Sequence, residues 1–200
     1  MILAFDTSSA ACTAALFGKD GTFLDARDEV IGRGHSERLV PLIDELLAGR
    51  RPSHILVGVG PGSFTGIRVG IAAAQGLAIG WDAELLGMSS LALLAAGEDA
   101  GRPIAVATTG GHGELFVQQF DDGEAGPLLN RVPAEAAREI TADLVIGSGA
   151  AALVGERGFG EARDRLPSAR DALRIAESLR TLNPRPVYVR APDAKAMTLA

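Results

Sequence analysis

The segment Gly58-Val59-Gly60-Pro61-Gly62-Ser63-Phe64-Thr65-Gly66 stands where an apolar run gives way to a helical pattern. Exposed amides at a helix N-terminus in such a setting bind anions well. It matches neither nucleotide motif. A Walker loop requires lysine after its last glycine, where Ile67 stands, and the dinucleotide fingerprint requires glycine at the sixth position from Gly58, where Ser63 stands. A tight turn with a good helix cap accounts for the segment at least as well. Ser63 is also no nucleophile elbow, because the flanking positions that need glycine hold Pro61 and Thr65. His35, His54 and His112 are far apart, with no pair at helical spacing, which argues against a zinc or iron site. Cys12, the single cysteine, excludes an intrachain disulfide and supports no cysteine metal site. No catalytic residue and no metal ligand set emerges.

The elements that must carry these residues follow from periodicity and turn residues. Ile2–Phe5, Ala11–Phe17 and Thr22–Glu29 read as three antiparallel strands, the last two joined by Gly18-Lys19-Asp20-Gly21. Leu39, Leu42, Ile43, Leu46 and Leu47 recur at helical spacing, with His35, Ser36 and Glu37 at the start and Gly49 as a stop. There His35 reads as a cap or first-turn residue. Ile55–Val59 is a strand, after which Ser63 or Thr65 caps a helix reaching Gly80. Its apolar stretch, Ile67 to Trp81, is too short to span a membrane comfortably and reads as a buried helix. Gly66, Gly70, Ala73, Ala74, Gly76 and Gly80 leave that helix bare on part of its surface, each interior glycine costing about 1 kcal/mol relative to alanine. Close approach of another backbone offsets that cost, either this chain's own sheet or a second chain's helix.

A strand at Glu84–Met88 and a short helix after Ser89 or Ser90 complete the first half. The second half repeats the grammar with strands at Ile104–Thr109, Glu114–Phe120 and Leu128–Val132, a helix at Pro133–Glu139 and a strand at Asp143–Gly147. A longer helix is expected over Ser168–Leu182 before Pro184 and Pro186. Arg157, Arg163, Arg165, Arg170 and Arg174, interleaved with Glu161, Asp164 and Asp171, read as a solvated helix face.

The length of 200 residues leaves one or two domains open. A repeated order of three strands, helix, strand, helix favours two similar lobes, residues 1–100 and a shorter 101–200, and is the ground plan of an α/β actin-like, ribonuclease H-like fold. Actin-like ATPases place a phosphate-facing carboxylate where Asp6-Thr7-Ser8 stands, but this loop lacks their glycines. Asp6, Thr7 and Ser63 are thus weak candidates for anion or nucleotide contact. The net charge of −6 argues against a direct grip on nucleic acid. The reduced cysteine count and an N-terminus without a basic, apolar and small-residue succession point to the cytoplasm and away from export.

Ile2-Leu3-Ala4-Phe5-Asp6-Thr7-Ser8, His35-Ser36-Glu37 ahead of Leu39 and Pro41, and above all Gly60-Pro61-Gly62-Ser63-Phe64-Thr65-Gly66-Ile67-Arg68-Val69-Gly70 resemble the TsaB/YeaZ family. Pro186-Val187-Tyr188-Val189-Arg190 resembles the family's closing element. The resemblance implies a non-catalytic partner and activating subunit of the machinery that makes threonylcarbamoyladenosine on tRNA. It implies a heterodimer with a TsaD-like catalytic subunit, assistance from a TsaE-like ATPase, and tRNA contact only through the complex. No cofactor is expected on the chain alone, with nucleotide or metal entering only in the partner complex. The family's dimer uses the two first-lobe helices, which nominates His35, Glu37, Leu39, Gly66, Arg68, Gly70 and Ala74 as interface residues. A homodimer in the partner's absence is a further expectation. The second lobe departs from the family, with Thr109-Gly110-Gly111-His112-Gly113-Glu114 retaining only the glutamate of a charged element. The competing readings are a metal-dependent peptidase-like enzyme and a free-standing actin-like ATPase.

Overall fold

The computed structural model describes residues 1–98 and 101–189; Arg190 of the closing element lies outside them. Strands β1 (Ile2–Asp6), β2 (Ala11–Phe17) and β3 (Phe23–Val30) form an antiparallel meander. Helix α1 (His35–Leu47) leads to β4 (His54–Gly58), and α2 (Phe64–Trp81) to β5 (Glu84–Met88). Both of these strands are parallel to β1, giving the sheet order β3-β2-β1-β4-β5. Helix α3 (Ser90–Ala96) then crosses to the second sheet.

That sheet is built to the same plan. Strands β6 (Ile104–Gly111) and β7 (Glu114–Asp121) pair antiparallel, and the short β8 (Glu124–Ala125) and β9 (Leu129–Arg131) both join β7. Helix α4 (Pro133–Glu139), β10 (Leu144–Ile146), α5 (Ala150–Arg157) and β11 (Glu161–Arg163) follow, with β10 parallel to β6 and β11 parallel to β10. With β9 taken as the third strand, the order β9-β7-β6-β10-β11 repeats that of the first sheet. The fold is α/β and actin-like, with two ribonuclease H-like lobes.

Alternation along the strands divides the interior into three cores. Leu3, Phe5, Cys12, Ala14, Leu16, Ile55 and Val57 face α1 and α2. Their neighbours Ala4, Ala15, Phe17 and Leu56 face the opposite way, where they meet α3 and the inward residues Ile104, Val106, Phe116, Leu144 and Ile146 of the second sheet. Ala105, Ala107, Leu115, Val117 and Val145 close a third core with residues from α4 and α5. Helix α3 belongs to both lobes, and Ser90 through Ala95 are all buried. Such a helix shows no amphipathic period because neither side is wet.

The structure differs from the sequence reading in several places. The helix expected over Ser168–Leu182 is a 3-10 turn at Ala169–Arg174 and a single turn α6 (Glu177–Arg180), separated by extended backbone at Ile175 and Ala176. Buried Ala169, Ala172 and Ile175 fill the space between the sheets, so interior packing overrides the local helical pattern. The arginines assigned to one solvated helix face are dispersed. Arg157 donates to the carbonyls of Ile140 and Ala142, Arg163 and Arg165 pair with Glu98, Arg174 pairs with Asp171, and Arg170 lies over Phe23. Strand β11 was not anticipated, because Glu161, Ala162 and Arg163 are all exposed and carry no apolar alternation. Beyond β11 the chain returns to the first lobe, where Leu182 bridges Gly87 and the Val187 amide donates to the Val59 carbonyl at 2.9 Å.

Helix α2 is buried on one face only. Gly66, Ile67, Gly70, Ile71 and Ala74 face the sheet, whereas Ile79 is 85% exposed. A side chain at Gly66 would overlap the Thr7 carbonyl oxygen, whereas one at Gly76 would meet nothing within 4 Å. Gly66→Ala is therefore expected to destabilise the protein by about 2 kcal/mol or more. Gly76→Ala should be neutral or stabilise it by about 0.5–1 kcal/mol. Urea denaturation of the two variants measures both, and equal effects would contradict the packing described.

Candidate functional site

The nominated residues fall at two places in the fold: the cleft between the lobes and the α1–α2 layer. The cleft has a volume of about 280 Å³ and is lined from the first lobe by Ser8, Ser9, Pro61 and Gly62, and from the second by Thr108, Thr109 and Ser148. Its polar lining is mostly hydroxyl, and among the described residues its one charged lining residue, Arg165, is engaged by the Gly97 carbonyl at 2.6 Å and Glu98 at 2.7 Å.

Asp6 ends β1 just beneath this cleft, where it is fully buried. One carboxylate oxygen accepts the Ser8 amide and the Ser8 hydroxyl, both at 2.7 Å. The other accepts the Ser90 hydroxyl at 2.5 Å, and the Ser90 oxygen in turn accepts the Gly60 amide at 3.1 Å. Thr7 is equally enclosed, its hydroxyl donating to the Gly66 carbonyl at 2.7 Å. Gly62 lies so close to the Ser8 carbonyl that a side chain there would overlap it, and the Ser63 amide donates to that carbonyl at 2.7 Å. Ser63 itself caps α2 by accepting the Gly66 amide at 3.2 Å.

Asp6, Thr7 and Ser63, the weak candidates for anion contact, each have side-chain partners within the chain. The Asp6 carboxylate is turned inward and tied to protein donors, so in this arrangement it does not face a phosphate or a metal ion. In the glycine-rich turn the Val59, Gly60, Ser63 and Gly66 amides donate within the chain. Among the described residues no group of three or more histidine, cysteine, aspartate or glutamate side chains is placed to hold a metal ion. Cys12 is buried, and burial above all, helped by the Glu29 charge, pushes its thiol up to about 11, leaving it protonated and unreactive near neutral pH.

The α1–α2 layer contains every residue nominated for a partner interface, but five of the seven point inward. His35 is the first residue of α1 and not its cap; its ring is buried, with Nε2 3.2 Å from the Ala11 carbonyl. Leu39 is 1% exposed and sits in the core. Gly66, Gly70 and Ala74 face the first sheet, and a side chain at Gly70 would lie 2.6 Å from the Thr7 hydroxyl. A bulky residue there disturbs the fold of this lobe before any docking. Glu37 and Arg68 remain at the surface.

Sequence reasoning singled out Gly76 and Gly80 but missed the large apolar residues of the outer face. Phe64 is 56% exposed, Val40 52% and Ile79 85%, with Ala72, Gln75, Gly76 and Gly80 exposed between them. Positions 64, 68, 72, 75/76 and 79 lie on one helical stripe. The available signal was the phase of the helix: 66, 67, 70, 71 and 74 carry the face that must meet the sheet, so the complementary positions stay outside. Among the described residues no helix is long and apolar enough to cross a membrane.

The family model for tRNA N6-adenosine threonylcarbamoyltransferase, TsaD, matches residues 28–147. The chain is similar to the tRNA threonylcarbamoyladenosine biosynthesis protein TsaB of Escherichia coli K12, at 35% identity over 133 residues. That match covers 62% of this chain and 57% of the relative, so the chain spans less than two thirds of that relative's length. Among solved structures it is similar to YeaZ from Pseudomonas aeruginosa, with a TM-score of 0.76 and 30% identity over 94% of this chain and 99% of that one. The activator of 2-hydroxyisocaproyl-CoA dehydratase from Clostridium difficile shares the fold alone, with a TM-score of 0.50 and 10% identity over 89% of this chain and 93% of that one.

Ser90→Ala would leave one Asp6 oxygen and the Gly60 amide without their partner inside the protein. It is expected to cost about 1–3 kcal/mol. Thr109→Ala at the cleft mouth should stay within about 0.5 kcal/mol of the parent. Chemical denaturation compares the two, and an unchanged Ser90→Ala midpoint would remove Asp6 from its central structural role.

Proposed function

The chain belongs to the TsaB/YeaZ family, matched by the model for the threonylcarbamoyltransferase TsaD, and from that membership we propose that it serves tRNA threonylcarbamoyladenosine synthesis as a partner subunit. The TsaD-like catalytic subunit docks on the outer face of α1 and α2. The observation that carries this reading is the exposed stripe of Phe64, Ala72, Gly76 and Ile79, with Val40 on the adjoining helix. Exposed large apolar residues on one face are characteristic of an association surface. Ala72, Gly76 and Gly80 allow a facing helix to approach closely, and their small side chains account for helix-weakening glycines where no contact within this chain needs them.

The subunit acts by stabilising and positioning its partner, and the transfer chemistry belongs to the TsaD-like chain. Nucleotide and metal enter in the assembled complex, together with a TsaE-like ATPase, and tRNA is met through that complex. The same outer face supports a homodimer when the partner is absent. The inward-turned Asp6, held by Ser8 and Ser90, favours this division of labour over a free-standing ATPase.

The test is co-purification with the TsaD-type protein of the same organism, followed by a threonylcarbamoyl transfer assay with and without this chain. A stable pair and dependent transfer are expected. Transfer, peptide hydrolysis or nucleotide turnover by this chain alone would overturn the subunit reading. Ile79→Asp places a charge on the outer face and should weaken pairing by about tenfold or more. Its melting temperature should stay close to the parent's, and a parental affinity would remove α2 from the interface.

A further inference from the structure

Arg68 is the only charged residue in the 18-residue α2, and it is held in place from within the chain. Its guanidinium carbon lies 3.7 Å from the centroid of the Phe64 ring, one turn earlier on the same helix. Its Nε donates to the Tyr188 hydroxyl at 2.8 Å. The Tyr188 ring stacks on Phe64, with centroids 5.5 Å apart and planes inclined by 29°. Tyr188 is anchored by its neighbour Val187, whose amide bonds to the Val59 carbonyl at the start of the glycine-rich turn. The last described residues thus reach back across the first lobe to fix one arginine of α2.

Fixing the ring face and Nε leaves the outer fork. Among the described residues Nη1 and Nη2 have no hydrogen bond or ion pair. A guanidinium immobilised in this way has lost most of its rotamer freedom in advance, and its two parallel N–H groups match the geometry of a carboxylate. Phe64 at 56% and Tyr188 at 48% exposure surround it with aromatic surface that a docking chain would cover. Arginine and tyrosine in such settings dominate interface energetics, because burial removes the competing water.

We propose that Arg68, pre-oriented by Phe64 and Tyr188, receives a carboxylate side chain of the partner subunit, with Tyr188 as the positioning residue. The inference rests on the docking face proposed above and names the chemistry at one end of it. A protein carboxylate suits the site better than an RNA phosphate. The arginine is the lone cation of its helix and is flanked by apolar Phe64, Ala72 and Ile79, on a chain of net charge −6. Phosphate-backbone binding gains its strength from several cations acting together.

The experiment is calorimetric titration of the TsaD-type subunit into the parent, Arg68→Gln, Tyr188→Phe and the double variant, each at low and high salt. Arg68→Gln is expected to weaken binding about tenfold or more and to flatten its salt dependence, a readout that a purely structural role would not move. Tyr188→Phe keeps the stack but loses the hydroxyl, so it should weaken binding less, and should have no further effect once Arg68 is replaced. Arg68→Lys, which keeps charge without the fork, should not restore parental affinity. Parental affinity and salt dependence in Arg68→Gln, or independent additive effects of the two substitutions, would overturn the proposal while leaving the docking face intact. A parent chain that fails to bind would sink the docking reading and this inference together. Weakened tRNA binding by Arg68→Gln with unchanged partner affinity would replace the carboxylate by a phosphate.

Discussion

The buried carboxylate of Asp6 is the constraint around which the first lobe is arranged. A carboxylate removed from water is costly unless its oxygens are hydrogen-bonded, and here they accept from Ser8 and Ser90. Satisfying it brings together three segments far apart in the chain: the turn after β1, the glycine-rich turn before α2 and the first residue of α3. Gly58 is required for the same reason, since any side chain there would overlap the Asp6 carboxylate. The close fit of α2 against Thr7 then follows from Gly66 and Gly70.

Because α3 is tied to Asp6 at one end and packed between both sheets along its length, the two lobes share a core. Further ties cross the same boundary. The Ala169 amide donates to the Thr13 hydroxyl and Ser168 to Asp28, both at 2.7 Å, while Arg165 joins Glu98 beyond the end of α3. The chain after β11 passes from the second sheet to β2 and β3, then to α3 and β5, and its last described residues lie against α2. Its irregular backbone is the result of meeting a different neighbour every few residues.

Helix α2 carries two different solutions on its two sides. Inside, Gly66, Gly70 and Ala74 recur every fourth residue and let the helix lie close to the end of β1. Outside, Phe64, Ala72, Gly76 and Ile79 present an apolar stripe with a single cation, while α1 beside it exposes Glu37 and Asp44. This face is therefore apolar at its centre with separated charges of both signs, a distribution that fixes the orientation of a docking chain as well as its affinity.

Much of the architecture was legible from the sequence because it depends on local periodicity. The short apolar runs of β1, β2, β4 and β6 bounded by turn residues, the helical spacing of Leu39 to Leu47, and the serine caps at Ser63 and Ser89 each report a preference that a short segment expresses by itself. The repeated strand and helix order then pointed to two lobes of one design. Local pattern was insufficient where a residue's partner lies far away in the chain. Nothing in the order of residues tells whether the small positions of α2 serve this chain's sheet or another's, that Asp6 turns inward toward Ser90, or that Tyr188 returns to Arg68. Strand β11 and the broken helix after Ser168 belong with these, because their conformation comes from neighbouring strands and the inter-lobe core. Element type follows from near-neighbour energetics, which the sequence displays. The role of a site residue follows from which distant atoms satisfy or exclude it, and only the folded chain brings those atoms together.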